Sequence, residues 1–267
     1  MQEPAAIQKT PPDPERELDR RLREAGSEEL LELVGTHAGE LDPQAVRQAL
    51  RNPYCTAEIV EALAEQGRLM AFYEVRRDLA FHPQAPEPLV LRLVPGLWWR
   101  DLMTLGLDTR IRPRVRRSAD QFLLMRLPQL ALGEKINLAR RASPGVLAQL
   151  RHDPSPRVIS AMLDNSRLTE DILAPAAHKA ATPGPVLAVI AADRRWGMRP
   201  GLQLALARHP NTPLAAALRV LPLLRKPELR TISQDLRVPE PVRLRARVLL
   251  GEEDGRDARF DRGRTKA

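Results

Sequence analysis

The sequence predicts an all-α fold of short, proline-punctuated helical hairpins stacked as a right-handed α-solenoid. Three observations carry this. Aromatic residues make up only 3% of the 267 residues, too few for a typical β-sandwich or barrel. Twenty-five prolines against fourteen glycines break long helices into short ones. Most directly, the chain matches itself when slid by 127 positions. Residues 79–123 then align without a gap to residues 206–250, with seventeen identical pairs. Among them are His82/His209, Pro83/Pro210, Pro86/Pro213, Pro95/Pro222, Asp108/Asp235, Arg110/Arg237 and Arg116/Arg243.

Along the chain, residues 1–14 are polar and proline-rich and are expected to be disordered. The body, residues 15–250, begins with acidic helices over 15–66 and continues as basic repeats over 67–250. Residues 1–66 carry a net charge of −7 and the remainder +15, which together give the chain its +8. Residues 251–267 are charged, nearly free of apolar side chains, and expected to be a disordered tail.

Within the body one phrase recurs: an apolar helix end, a turn with Pro or Asn, then a new helix. RNPYCTAEIVEAL, FHPQAPEPLVLRL, RHDPSPRVISAML and RHPNTPLAAALRV are examples. Leu202, Ala205, Leu206 and His209 follow the i, i+3, i+4, i+7 spacing of one helix face, as do Leu214, Ala217, Leu218 and Leu221. Thr212 fits an N-cap and Pro213 the first helical turn. Each unit presents an apolar stripe that it cannot bury alone, so successive units must stack.

HPNTPLAAALRVL and DPSPRVISAMLDNSRLTEDILAPAA resemble the phrases of bacterial leucine-rich-repeat-variant and HEAT-like repeat proteins, over most of residues 45–250. The resemblance implies a helical repeat fold. Some leucine-rich-repeat-variant proteins carry a cysteine-rich iron–sulfur segment. The single Cys55 excludes that here, along with any multi-cysteine metal site. No metal, no cofactor and no catalytic residue is expected.

Candidate binding residues fall in two groups. Arg110, Arg112, Arg114, Arg116 and Arg117 crowd one turn and helix, and Arg237 and Arg243 hold matching places 127 positions on. Stacked units would align such arginines along a surface that attracts phosphates or acidic protein segments. The plainer reading is compositional: 37 of the 42 basic residues are Arg, so many of them are ordinary solvated side chains. Trp98 and Trp99 form the second group. Their repeat equivalents are Arg225 and Lys226, so the fold does not demand aromatics there. One is expected in the core and the other exposed as a stacking or docking residue. Some HEAT-like proteins are DNA glycosylases that hold a cationic alkylated base with tryptophans and a carboxylate. By resemblance, Trp98, Trp99, Trp196 and Asp101 would supply that set. Asp101 also matches Glu134 and Glu228 at other helix starts, where a carboxylate simply complements the helix dipole.

His82 and His209 are expected at helix C-termini, bonded to free carbonyls. Thr104, Thr231 and Asn137 are expected to bridge adjacent units. No signal peptide and no apolar run of spanning length is visible, so a cytoplasmic protein is expected, with no membrane partner. The function expected is non-enzymatic: a scaffold recognising a protein partner. A nucleic-acid or other polyanion binder is the alternative, and the glycosylase is its remoter form.

Overall fold

The computed structural model describes residues 14–251. The expected disordered segments 1–14 and 251–267 lie outside these residues, apart from Pro14 and Gly251. Pro14 already belongs to a helix. Among the described residues the chain is all-α, and it divides near residue 125 into two compact units.

The first unit contains α1 (Pro14–Glu24), α2 (Ser27–Thr36), α3 (Pro43–Arg51), α4 (Ala57–Glu65), α5 (Tyr73–Phe81), α6 (Glu87–Leu93), α7 (Trp99–Leu107) and α8 (Pro113–Arg126). The second contains α9 (Leu132–Arg141), α10 (Pro144–Leu150), α11 (Pro156–Leu163), α12 (Glu170–His178), α13 (Gly184–Ala192), α14 (Pro200–Arg208), α15 (Leu214–Val220), α16 (Lys226–Gln234) and α17 (Glu240–Leu250). In the first unit α1 packs on α3, α3 on α5, and α2 on α4. In the second, α9, α11, α13, α15 and α17 pack in succession, as do α10, α12, α14 and α16. Packing on the helix two places along the chain is how short helices with one apolar stripe each share a continuous core.

The internal repeat is larger than the sequence identities indicate. Added to 127, the bounds of α3, α4, α5, α6 and α7 give those of α12, α13, α14, α15 and α16 at both ends. The 3-10 turn Val94–Gly96 maps onto Leu221–Leu223, and α8 and α17 start in register. The stretches α3–α8 and α12–α17 are therefore two copies of one arrangement, one in each unit. Their cores match by position more than by residue type. Val46 and Leu173, Ile59 and Val186, Leu63 and Ile190, and Leu105 and Ile232 are all buried pairs. Buried Leu69 in one copy is buried Trp196 in the other.

The helix ends show how neighbours are joined. Helices commonly terminate on a left-handed glycine. Here only Gly251 adopts positive φ among the described residues. Instead, a polar residue one to three places after the helix braces the turn. In eight turns its side chain accepts the backbone N–H two residues on: Asn52 from Tyr54, His82 from Gln84, Asp108 from Arg110, Asp153 from Ser155, Asn165 from Arg167, Asp193 from Arg195, His209 from Asn211 and Asp235 from Arg237. Where the side chain also has a donor, it reaches the last carbonyls of an earlier helix. Asn52 donates to Leu22 and Ala25 at 3.0 and 2.9 Å, and Asn165 to Ala139 and Ala142 at 2.8 and 3.2 Å. His82 donates through Nε2 to Leu50 at 3.0 Å, and His209 to Lys179 at 2.9 Å. Asp193 has no donor, and Trp196 three residues later supplies one to Leu163 at 3.1 Å. Asn211 donates to Ala180 and Thr182. That turn comes so close that a Cβ on Gly184 would lie 2.6 Å from the Asn211 carbonyl.

Three expectations change. Thr104 and Thr231 bond within their own helices, to the carbonyls of Arg100 and Pro227, and do not bridge units. Thr212 is not an N-cap: Pro213 holds that place and the Thr212 hydroxyl is buried without a partner. In α15 the buried positions are Ala216, Ala217 and Val220, with Leu221 buried just after it; of the expected stripe Ala217 and Leu221 are core, while Leu214 is exposed.

Asn165 is fully buried, so Asn165→Ala leaves two carbonyls and one N–H without partners and should cost about 2–3 kcal/mol in a denaturant melt. Asn137→Ala, on an exposed position, should cost less than about 0.5 kcal/mol.

Candidate functional site

The predicted arginines lie on exposed or half-buried positions, yet many are already paired. Arg110 folds back on Asp108: Nε and Nη2 donate to the two carboxylate oxygens at 3.0 and 2.7 Å. Arg237 does the same on Asp235 at 3.0 and 3.0 Å, and Arg208 adds a third bond there at 2.8 Å. These guanidiniums hold both carboxyl groups well below the usual carboxylate range, Asp108 at about 2. Arg112 and Arg114 share one carboxylate, Glu87, at 3.8 and 3.7 Å. Arg116 and Arg243 hold their Nε atoms buried against the helices without a partner. Arg117 is exposed, with no ion pair among the described residues. The stripe is thus partly neutralised from within.

Neither Trp98 nor Trp99 is a core residue. Trp98 is 63% exposed and Trp99 half-buried, while the core tryptophan is Trp196. Trp98 precedes α7 at its N-cap, where the chain is extended and the side chain leaves the packed face. It stacks on Tyr73, with ring centroids 4.1 Å apart and planes 14° from parallel. Arg100 covers Trp99 at 5.3 Å.

Tyr73, at the start of α5, was not foreseen. Its hydroxyl accepts the Trp98 backbone N–H at 2.9 Å and donates to Asp101. At the equivalent helix starts the carboxylate takes this N–H directly: Glu134 from Ala131 and Glu228 from Arg225, both at 2.9 Å. Tyr73 is thus inserted into a capping bond. Partial burial, then the Asp101 carboxylate, pushes its phenol up to about 12, so it stays protonated and keeps donating. Asp101 is therefore occupied as a helix-capping partner. Trp196 is buried, with its N–H given to Leu163.

Three clefts lie where helices end. In the first unit, one of about 480 Å³ is lined by Arg47, Arg51, Arg77, Asp78, Phe81 and His82 among others. A second, of about 300 Å³, runs from Phe81 and His82 to Asp108 and Arg110. In the second unit a cleft of about 510 Å³ includes His178, Leu204, Arg208, His209, Asp235 and Arg237. Shifted by 127, these fall on Arg51, Arg77, Phe81, His82, Asp108 and Arg110. Both copies therefore open the same edge, at the turns that carry the cross-helix bonds. Among the described residues no group of three or more His, Cys, Asp or Glu could hold a metal ion, and no helix is long and apolar enough to cross a membrane.

In His82, Nδ1 accepts the Gln84 N–H, so the neutral ring carries its proton on Nε2, facing Leu50. Burial lowers its pKa below the ordinary value of 6.5. The unfolded chain then binds more protons in the window below pH 6.5, so stability is complete above it and falls as pH drops through it. Urea midpoints at pH 7.5 and 5.5 should show this loss, and His82→Gln should reduce it. Tyr73→Phe, which leaves the Trp98 N–H and Asp101 unmatched, should cost about 1–2 kcal/mol by the same assay.

Comparison with protein-family models finds no match for the chain, and comparison with the curated proteins finds none either.

Proposed function

We propose that the chain is a non-enzymatic, cytoplasmic, right-handed α-solenoid of HEAT-like or leucine-rich-repeat-variant type that recognises a protein partner through its repeat surface. The observation that carries this reading is the cleft that recurs at equivalent places in the two copies. An open cleft at the helix ends of each copy suits contact with another chain. The pairing of Arg110, Arg237, Arg112 and Arg114 with nearby carboxylates argues for the same partner class. A polyanion would have to compete with Asp108, Asp235 and Glu87 for those groups. Nucleic acid is the second reading. It is supported by Arg117 and by Arg112 and Arg114, which share a single carboxylate.

Tagged protein captured from its native cell should retain a protein partner in about 0.3 M salt, where phosphate contacts weaken steeply. It should carry no excess 260 nm absorbance. The combined change Arg114→Ala, Arg116→Ala and Arg117→Ala should leave the capture unchanged. Copurifying nucleic acid that disappears with that triple change would reject the reading in favour of the second.

A further inference from the structure

The duplication gives each surface residue a counterpart in the same helical setting, 127 positions away. A large or charged exposed group present in one copy and dispensed with in the other is not required by the fold. The edge formed by α3, α5 and the start of α7 differs in this way. Arg47 and Arg51 on α3 are matched by Ala174 and His178 on α12. Tyr73 and Arg77, one turn apart on α5, are matched by Pro200 and Leu204 on α14. Trp98 is matched by Arg225. The helices concerned have the same bounds in both copies, so the backbone frame is kept while the first unit carries two stacked aromatics and three arginines where the second carries other side chains.

The added groups form two kinds of contact surface. Trp98 is a planar, largely exposed ring held in place from behind by Tyr73 and through its own backbone N–H. Towards the cleft, on α3 and α5, lie guanidiniums with spare capacity. Arg51 is exposed and makes no ion pair among the described residues. Arg77 approaches Asp78 and Asp101 only at 3.7 and 3.9 Å, and Asp78 is held more closely by Arg47 at 3.0 Å.

We infer that this edge of the first unit binds a short, extended, acidic protein segment, with an aromatic or proline side chain on Trp98 and a carboxylate between Arg51 and Arg77. This rests on the protein-recognition reading above and narrows it to one site and one ligand chemistry. The stripe from Tyr73 to Phe81 covers about 12 Å at 1.5 Å per helical residue. An extended chain crosses that in about four residues, so the apolar and acidic side chains stand three or four residues apart. Asp78 and Asp101 interrupt the stripe with negative charge. A phosphate backbone, charged at every step, fits that alternation worse than a peptide with one acidic cluster.

The test uses the full chain and a fluorescein-labelled peptide of roughly twelve residues, with Phe three positions before a Glu pair in a Gly/Ser background. Anisotropy in about 150 mM salt should show saturable binding. Replacing the peptide's Phe by Ala, or its Glu pair by Gln, should weaken binding at least about tenfold, and so should Trp98→Ala or Arg51→Glu in the protein. Arg225→Ala, the second-copy control, should change nothing. Absence of saturable binding, equal binding of the control peptides, or preference for a labelled thymidine oligomer would overturn the proposal. The cell capture separates the two readings. A partner retained equally by Trp98→Ala and Arg51→Glu places recognition elsewhere on the surface. A chain that captures no protein at all removes the general reading as well.

Discussion

The structure depends on how a helix end is closed. The last carbonyls of an α-helix have no partner within it, and a buried carbonyl without one is costly. This chain closes those ends with side chains from elsewhere in the chain. Asn52, His82, Asn165, Trp196 and His209 each bond to a carbonyl 23 to 33 residues earlier. Asn52, His82, Asn165 and His209 also brace their own turn with a second polar atom. A two-headed side chain is therefore required: an amide, or an imidazole held in one tautomer. Asp can brace a turn but cannot donate, which is why Asp193 needs Trp196 and why Asp108 and Asp235 recruit arginines instead. One bond thus fixes both the end of a helix and its distance from the next.

That device makes duplication tolerant of sequence change. When neighbours are spaced by bonds from turns to helix ends, core residues must fill a defined gap, and several apolar side chains of similar volume do so. Val46 and Leu173, or Leu63 and Ile190, are such exchanges. The exposed faces are freer still. Glu87 is matched by exposed Leu214, Thr109 by exposed Leu236, and Arg117 by exposed Leu244. A frame maintained by a few polar bonds allows the two copies to carry different surfaces.

This also explains what was legible in the sequence. The helices and their breaks were readable because proline, turn polars and apolar spacing act locally. The repeat over 79–123 was readable because identities survive there. Its continuation through α3 and α4 was not, since those copies keep burial and volume while changing residue type. His82 and His209 could be placed at helix ends, but a partner some thirty residues away is fixed only by packing. Tyr73 left no local signal. It is a lone aromatic at a helix start whose counterpart is Pro200, and its place between Trp98 and Asp101 exists only once α5 lies beside α7.

Arginine content follows from the same constraint. A guanidinium forms two parallel bonds to one carboxylate, which an ammonium cannot do. Arg110 on Asp108 and Arg237 on Asp235 use that geometry to stiffen turns whose acidic residue has no donor for the neighbouring helix. Both pairs carry no net charge, so they add to the count of basic residues without adding to the surface potential. The spacing alone does not make the pair: Arg195 stands two places after Asp193 and lies over the Trp196 ring instead, so it is the carboxylate contact that separates structural arginines from those free to bind. By that criterion the arginines at the α5 edge differ from those of the turns. Arg51 and Arg77 have no close two-bond carboxylate partner, are matched by His178 and Leu204 in the second copy, and belong to the same edge as the exposed Trp98 ring.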